Sequence, residues 1–136
     1  MGLFANFDIS GSAISAQSVR LNTTASNLAN VDTIASTAAE AYRSRQPVFQ
    51  AMMNKQVDPA LVGVRMMGVV ESNAEVNQRY QPGHKLANEQ GYVFGSNVNP
   101  VEEMANMISA SRAYQNNVEV LNTSRDLLLR ALSLGS

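Results

Sequence analysis

The chain has no cysteine, no tryptophan and one histidine in 136 residues. Without cysteine neither a disulfide framework nor a thiolate metal site can form, and the redox compartment stays undetermined. Charge is scarce too: charged residues make up 15% of the chain, the formal net charge is −1 and the pI is near 5.7. That balance supplies no basic field for nucleic acid and no cationic face for anionic lipid, so neither partner is expected. No stretch approaches the roughly 20 apolar residues a membrane-spanning helix needs, so direct membrane insertion is not expected. The opening MGLFANFDISGSAISAQS lacks a cationic start, a long apolar run and a small-residue cleavage site. A cleaved Sec-type signal peptide is therefore not expected.

Catalytic groups are equally thin. His84 lies in the Pro-Gly turn QPGHK, where a solvated loop side chain explains it better than a base or a metal ligand. Glu102 and Glu103 sit at a helix start, where the helix dipole accounts for two carboxylates without catalysis. Asp8, Asp32, Asp58 and Asp126 show no metal-loop spacing. Phosphate-cradling glycine loops, HExxH and a nucleophile elbow are all missing. No enzyme, cofactor or metal site is expected.

What the chain does have is 45% hydrophobic residues, enough for one compact domain or two small ones with a modest core. Phe7, Ile14, Leu21 and Leu28 recur every seven residues, separated by small or weakly polar positions such as Gly11, Ser18 and Ala25. This spacing predicts a helix over about residues 9–31 with a narrow seam. A second helix is signalled at Asn99-Pro100-Val101-Glu102, where Asn caps, Pro suits the first helical position and Glu102 closes a capping box. Met104, Met107, Tyr114, Val118, Leu121, Leu128 and Leu132 then follow alternating spacings of three and four, which only Ser111 and Arg125 interrupt. Gly135 is the stop signal.

Between these helices the texture changes. YRSRQPVFQAMM, GVRMMGVVES and RYQPGHKLANEQGYVFGSN carry Val, Tyr and Phe clusters bounded by Pro82-Gly83, Gln90-Gly91 and Gly95, and they read as short strands. Residues 32–42 read as a flexible connection. The expected fold is mainly α, with long N- and C-terminal helices (1–33 and 97–136) paired as a coiled-coil-like unit. A loop and a small β-rich domain occupy residues 34–96.

The first helix is unusual in its surface. Between Ile9 and Val31 the only charged side chain is Arg20, while eleven residues are Ser, Thr, Asn or Gly. Each of those disfavours helix by about 0.5 kcal/mol relative to Ala, on the order of 5 kcal/mol in all, so the segment alone in water is marginal. Burying Phe7, Ile14, Leu21 and Leu28 returns roughly 1.5–3 kcal/mol apiece. Helix formation is then conditional on docking. Because no face carries the usual Lys and Glu, neighbours are expected to cover more than one side. A poorly ordered tail and an ordinary intramolecular seam are the plainer alternatives.

NLANVDT at 27–33, after an uncharged helix, resembles the N-terminal signature of the bacterial flagellar axial family, the rod and hook proteins. The motif residues are Asn27, Leu28, Ala29, Asn30, Val31, Asp32 and Thr33. FDISGSAISAQSVRLN at 7–22, YQPGHKLANEQGYV at 80–93 and NVNPVEEMANMISASRAYQNNVEVLNTSRDLLLRALSLG at 97–135 are similar to the proximal-rod branch of that family. The resemblance implies a non-enzymatic subunit of the basal-body rod, which spans the periplasm, exported by the flagellar type III apparatus without cleavage. It implies terminal helices that pair as an inner tube and order on assembly. It also implies self-association and contacts with the rod proteins FlgB, FlgF and FlgG and the adaptor FliE. A soluble export adaptor, masking a partner helix with the C-terminal seam, is the alternative from another class.

Overall fold

The structure is a computed structural model that describes residues 3–53 and 62–134. The stop signal at Gly135 and the acidic Asp58 lie outside the described residues. In chain order the elements are α1 (Leu3–Ala29), β1 (Ile34–Ala35), β2 (Arg45–Met53), β3 (Val62–Glu71), β4 (Asn77–Tyr80), β5 (Tyr92–Gly95) and α2 (Pro100–Leu134). The architecture is α plus β, two long terminal helices around small antiparallel sheets.

The first helix begins six residues before the expected boundary, because no proline or glycine interrupts residues 3–9. It ends two residues earlier than expected, at Ala29, because Asn30 closes it. Both the amide nitrogen and the side-chain Nδ2 of Asn30 donate to the Ser26 carbonyl, at 3.2 and 2.8 Å. The second helix starts where its capping signal lies. Asn99 Oδ1 accepts from the amides of Val101 at 3.1 Å and Glu102 at 3.4 Å, with Pro100 in the first helical position.

The helices pack against each other in antiparallel directions. Asn27 meets Glu103 near one end, and Arg20 Nη2 donates to Asn106 Oδ1 at 3.1 Å further along. At 1.5 Å per residue from that end, α2 runs about 10 Å past the start of α1. Ser10, Ala16, Thr24 and Asn27 of α1 and Glu103, Ala110 and Ser124 of α2 are buried. Five of these seven buried side chains, all but Asn27 and Glu103, are small.

The hairpin β2–β3 packs on α1. It pairs Arg45 with Glu71 through Met53 with Val62, and an irregularity after Val48 leaves Met67 without a partner across the ribbon. The edge of β3 is tied to the helix through Ser12, whose hydroxyl donates to the Ile9 carbonyl at 2.8 Å and accepts from the Val64 amide at 3.1 Å. Two parts of the same chain therefore cover α1. Its exposed positions after Asp8, namely Gly11, Ser15, Asn22, Ala25 and Ala29, are small and uncharged.

The other sheet has the order β1-β5-β4 and is antiparallel throughout. Val93 in its central strand is fully buried. The link from β4 to β5 is a series of turns in which His84 Nδ1 accepts from the Leu86 amide at 3.1 Å, so the histidine shapes its own loop. Gly91 has φ +84°, and a Cβ there would lie 2.8 Å from Tyr80 Cε2 and 3.1 Å from Pro82 Cβ. Only glycine fits that corner.

Residues 32–42 differ from the expected flexible connection. Ile34 and Ala35 pair with β5, the Ala41 amide donates to the Thr37 carbonyl at 3.2 Å, and Ala41 is buried. The reason is that this short segment must return the chain from the end of α1 to the start of β2 beside it. A hydrogen-bonded turn satisfies its backbone on the way.

Candidate functional site

One side chain holds three segments together. Asn27, 1% exposed, lies in the last turn of α1 where it faces both α2 and the chain entering β2. Its Nδ2 donates to the Arg45 carbonyl at 2.8 Å and to Glu103 Oε1 at 2.9 Å, with Ser44 Oγ at 3.4 Å. Its Oδ1 accepts from the Arg45 amide at 2.9 Å and from the Tyr42 hydroxyl at 3.0 Å. The paired contacts to Arg45 make the amide side chain act as one more rung of β-ladder. Glu103, 6% exposed, also accepts from Ser44 Oγ at 3.3 Å. A buried carboxyl without donors would be costly, so these contacts license its position.

Around this cluster the backbone is closed by a second asparagine. Asn97 Oδ1 accepts from the Ser44 amide at 2.6 Å, and Asn97 Nδ2 donates to the Ala74 carbonyl at 3.0 Å. Arg43 Nη1 donates to the Ser72 and Ala74 carbonyls at 3.2 Å each. Outside, Arg45 and Glu71 form an ion pair at 3.4 Å with side chains 48% and 57% exposed. Such a pair contributes under about 1 kcal/mol and is secondary to the buried amides.

The rest of the 27–33 motif finishes the helix. Leu28 is half-buried and Ala29 is exposed. Asn30 caps Ser26; the Val31 carbonyl accepts from Ser96 Oγ at 2.6 Å; Thr33 Oγ1 folds back to the Asn30 carbonyl at 2.7 Å. Asp32 stands exposed in the turn. The motif ends α1, redirects the chain and fastens it to both neighbours.

The heptad residues are less buried than the small ones between them. Phe7, Ile14, Leu21 and Leu28 are half-buried, as are Met107, Tyr114, Val118, Leu121 and Leu128. Met104 and Leu132 are 49% and 63% exposed. Glu103, Ser44, Tyr42 and Asn97 escaped the sequence reading. Only Glu103 carried a signal: of two adjacent glutamates at a helix start, one turns inward.

Among the described residues, no group of three or more His, Cys, Asp or Glu side chains converges. A polar groove of about 390 Å³ opens between α1, α2 and β2, with Arg20, Thr24, Phe49 and Asn106 on its walls. The surface is the more telling feature. Val101, Ile108, Val120, Leu127, Leu129 and Leu134 of α2 are exposed, as are Met52, Met53, Met66, Met67, Val69 and Val70 of the hairpin. The accessible surface is 9264 Å², against about 6,900 Å² expected for a compact monomer of this mass. No helix among the described residues is long and apolar enough to cross a membrane.

Comparison with known proteins places this arrangement. The family described as "Flagella basal body rod protein" matches residues 7–34, which include most of α1 and its closing motif. "Flagellar basal body rod FlgEFG protein C-terminal" matches residues 89–134, from the last turn through α2. "Flagellar basal-body rod protein FlgC" of Escherichia coli O6:H1 is 49% identical over 135 residues, covering 99% of both chains. The proteins of the same name from Salmonella typhimurium and Bacillus subtilis are 47% and 33% identical, each with 99% coverage of both chains. The chain belongs to the FlgC family of flagellar basal-body rod proteins.

Proposed function

We propose that the chain is a structural subunit of the flagellar basal-body rod, polymerising through its terminal helices into the drive shaft that carries torque from motor to hook and filament. The carrying observation is the surplus surface. An excess of about 2,300 Å² over a compact monomer marks an elongated subunit whose apolar faces stand open. A subunit inside a tube wall has several neighbours and uses such a surface. An adaptor with one partner would leave most of it wet, and the names of the relatives give that alternative no support.

In this reading residues 1–33 and 97–136 form the inner domain, its helices paired as a coiled-coil-like unit, and residues 34–96 lie outside. Phe7, Ile14, Leu21 and Leu28 work with Met104, Met107, Tyr114, Val118, Leu121, Leu128 and Leu132 in pairing and assembly. The partners are further copies of the chain, FlgB, FlgF, FlgG and FliE. Export through the flagellar type III apparatus, without cleavage, brings the subunit to the rod. Torque passes mechanically, so the work is done by rigidity and not by chemistry.

The test uses an exposed position so that folding and assembly separate. Leu132→Lys is expected to leave the helical content and denaturation midpoint of the purified chain within error, and to abolish its recovery in isolated basal bodies together with motility. Normal rods and swimming in that variant would contradict the proposal.

A further inference from the structure

The exposed apolar groups fall into separate patches that do not cover one another. On the β2–β3 hairpin Val48, Met52 and Val70, 42%, 43% and 52% exposed, share one face with Arg65; Met66 and Val69 lie on the other, and Met67, 58% exposed, stands at the irregularity between them. A two-stranded ribbon of this kind is marginal alone and needs a covering surface. It is held in place at its base by Asn27 through Arg45 and along its edge by Ser12 through Val64. It packs on α1 and makes no packing contact with α2 of its own chain among the described residues.

A second patch lies at the start of α2. Val101, Met104 and Ile108 are 70%, 49% and 57% exposed and share one face at spacings of three and four. Beside it Glu102 is exposed, and on the hairpin Arg65 is exposed; among the described residues neither is in an ion pair. The patches are thus both apolar, and each carries a charge of opposite sign at its margin.

Resting on the rod reading, we propose that the hairpin of one subunit lies over the Val101–Met104–Ile108 face of α2 in a neighbouring copy of the same chain, with Arg65 against Glu102. The contact joins two different surfaces, so it is heterologous and leaves each copy with one used and one free patch. Repeated from copy to copy, such contacts close a ring if the rotation closes and extend a helix if it does not. The adaptable, polarisable methionine side chains suit a ribbon that must seat on a helix face.

The absence of cysteine makes the test clean. Met67→Cys and Ile108→Cys are placed in two separately tagged copies, co-expressed in cells without the native chain, and isolated basal bodies are mildly oxidised. A disulfide-linked species of twice the subunit mass, carrying both tags, lost on reduction and mapped to positions 67 and 108, is expected. Both variants present in basal bodies with no mixed species, or with links only between like positions, would overturn the hairpin contact while leaving the rod reading intact. Absence of a tagged copy with the native residues at 67 and 108 from isolated basal bodies, by contrast, would overturn the rod reading and the hairpin contact together.

Discussion

Replacing Asn27 with alanine removes the donor that serves Glu103 and the acceptor that serves the Arg45 amide, and both groups are left without those partners. Each orphaned buried group costs roughly 1–3 kcal/mol, so the loss should exceed that from any alanine or serine in the helix interface. Urea denaturation of the purified chain measures it. Glu103→Gln keeps an acceptor for the Asn27 amide and should lose much less, a contrast that separates the hydrogen bond from the charge. Gly91→Ala forces a left-handed residue against Tyr80 and Pro82. A cost of about 1–3 kcal/mol is expected, read as a lower thermal midpoint. At this scale the sequence was partly legible. NLANVDT stood out as a motif, yet nothing in its letters says that its first asparagine turns inward. Tyr42 and Ser44 become partners of α1, and Asn97 a partner of Ser44, only when β1 and the turn after it bring the chain back. Contacts between residues 15 to 76 positions apart leave no local periodicity to find.

At the level of elements, strands β2 to β5 and the start of α2 were readable because capping chemistry and β-branched clusters are local signals, whereas β1 lay in a stretch read as a flexible connection. The ends of α1 were not. A boundary without a strong cap is decided by the residues just beyond it, and here Asn30 and Thr33 close the helix with bonds that a uniformly Ser/Asn-rich stretch conceals. Burial inside the seam was also only half visible. Heptad spacing marks the large residues, whereas the buried positions went to small side chains such as Ser10, Ala16, Thr24 and Ala110, which that spacing does not single out. The attachment of the hairpin to α1 can be probed in the same way. Ser12→Ala gains about 0.5 kcal/mol of helix propensity and loses one bond of about 0.5–1.5 kcal/mol, so global stability should change little. The Val64 amide, by contrast, should exchange its hydrogen markedly faster by NMR, showing the edge of β3 freed from α1. Unchanged exchange at Val64 would mean that packing alone seats the ribbon.

For the molecule as a whole, the near-neutral charge and the open apolar patches set the response to solution conditions. Association of the purified chain is expected to strengthen in ammonium sulfate, which favours apolar burial, and to vary little between low and moderate sodium chloride. Sedimentation velocity across the two salts checks this. A strong loss of association in sodium chloride would point instead to charge as the main adhesive. The two struts of the subunit are also unequal, since α2 projects about 10 Å past the beginning of α1. Bricks with one protruding corner cannot be laid in flush courses. In the proposed rod, a projection of this kind would be received by the layer beyond whenever the struts lie along the axis. A wall bonded in that staggered manner has no flat seam on which to shear when it is twisted.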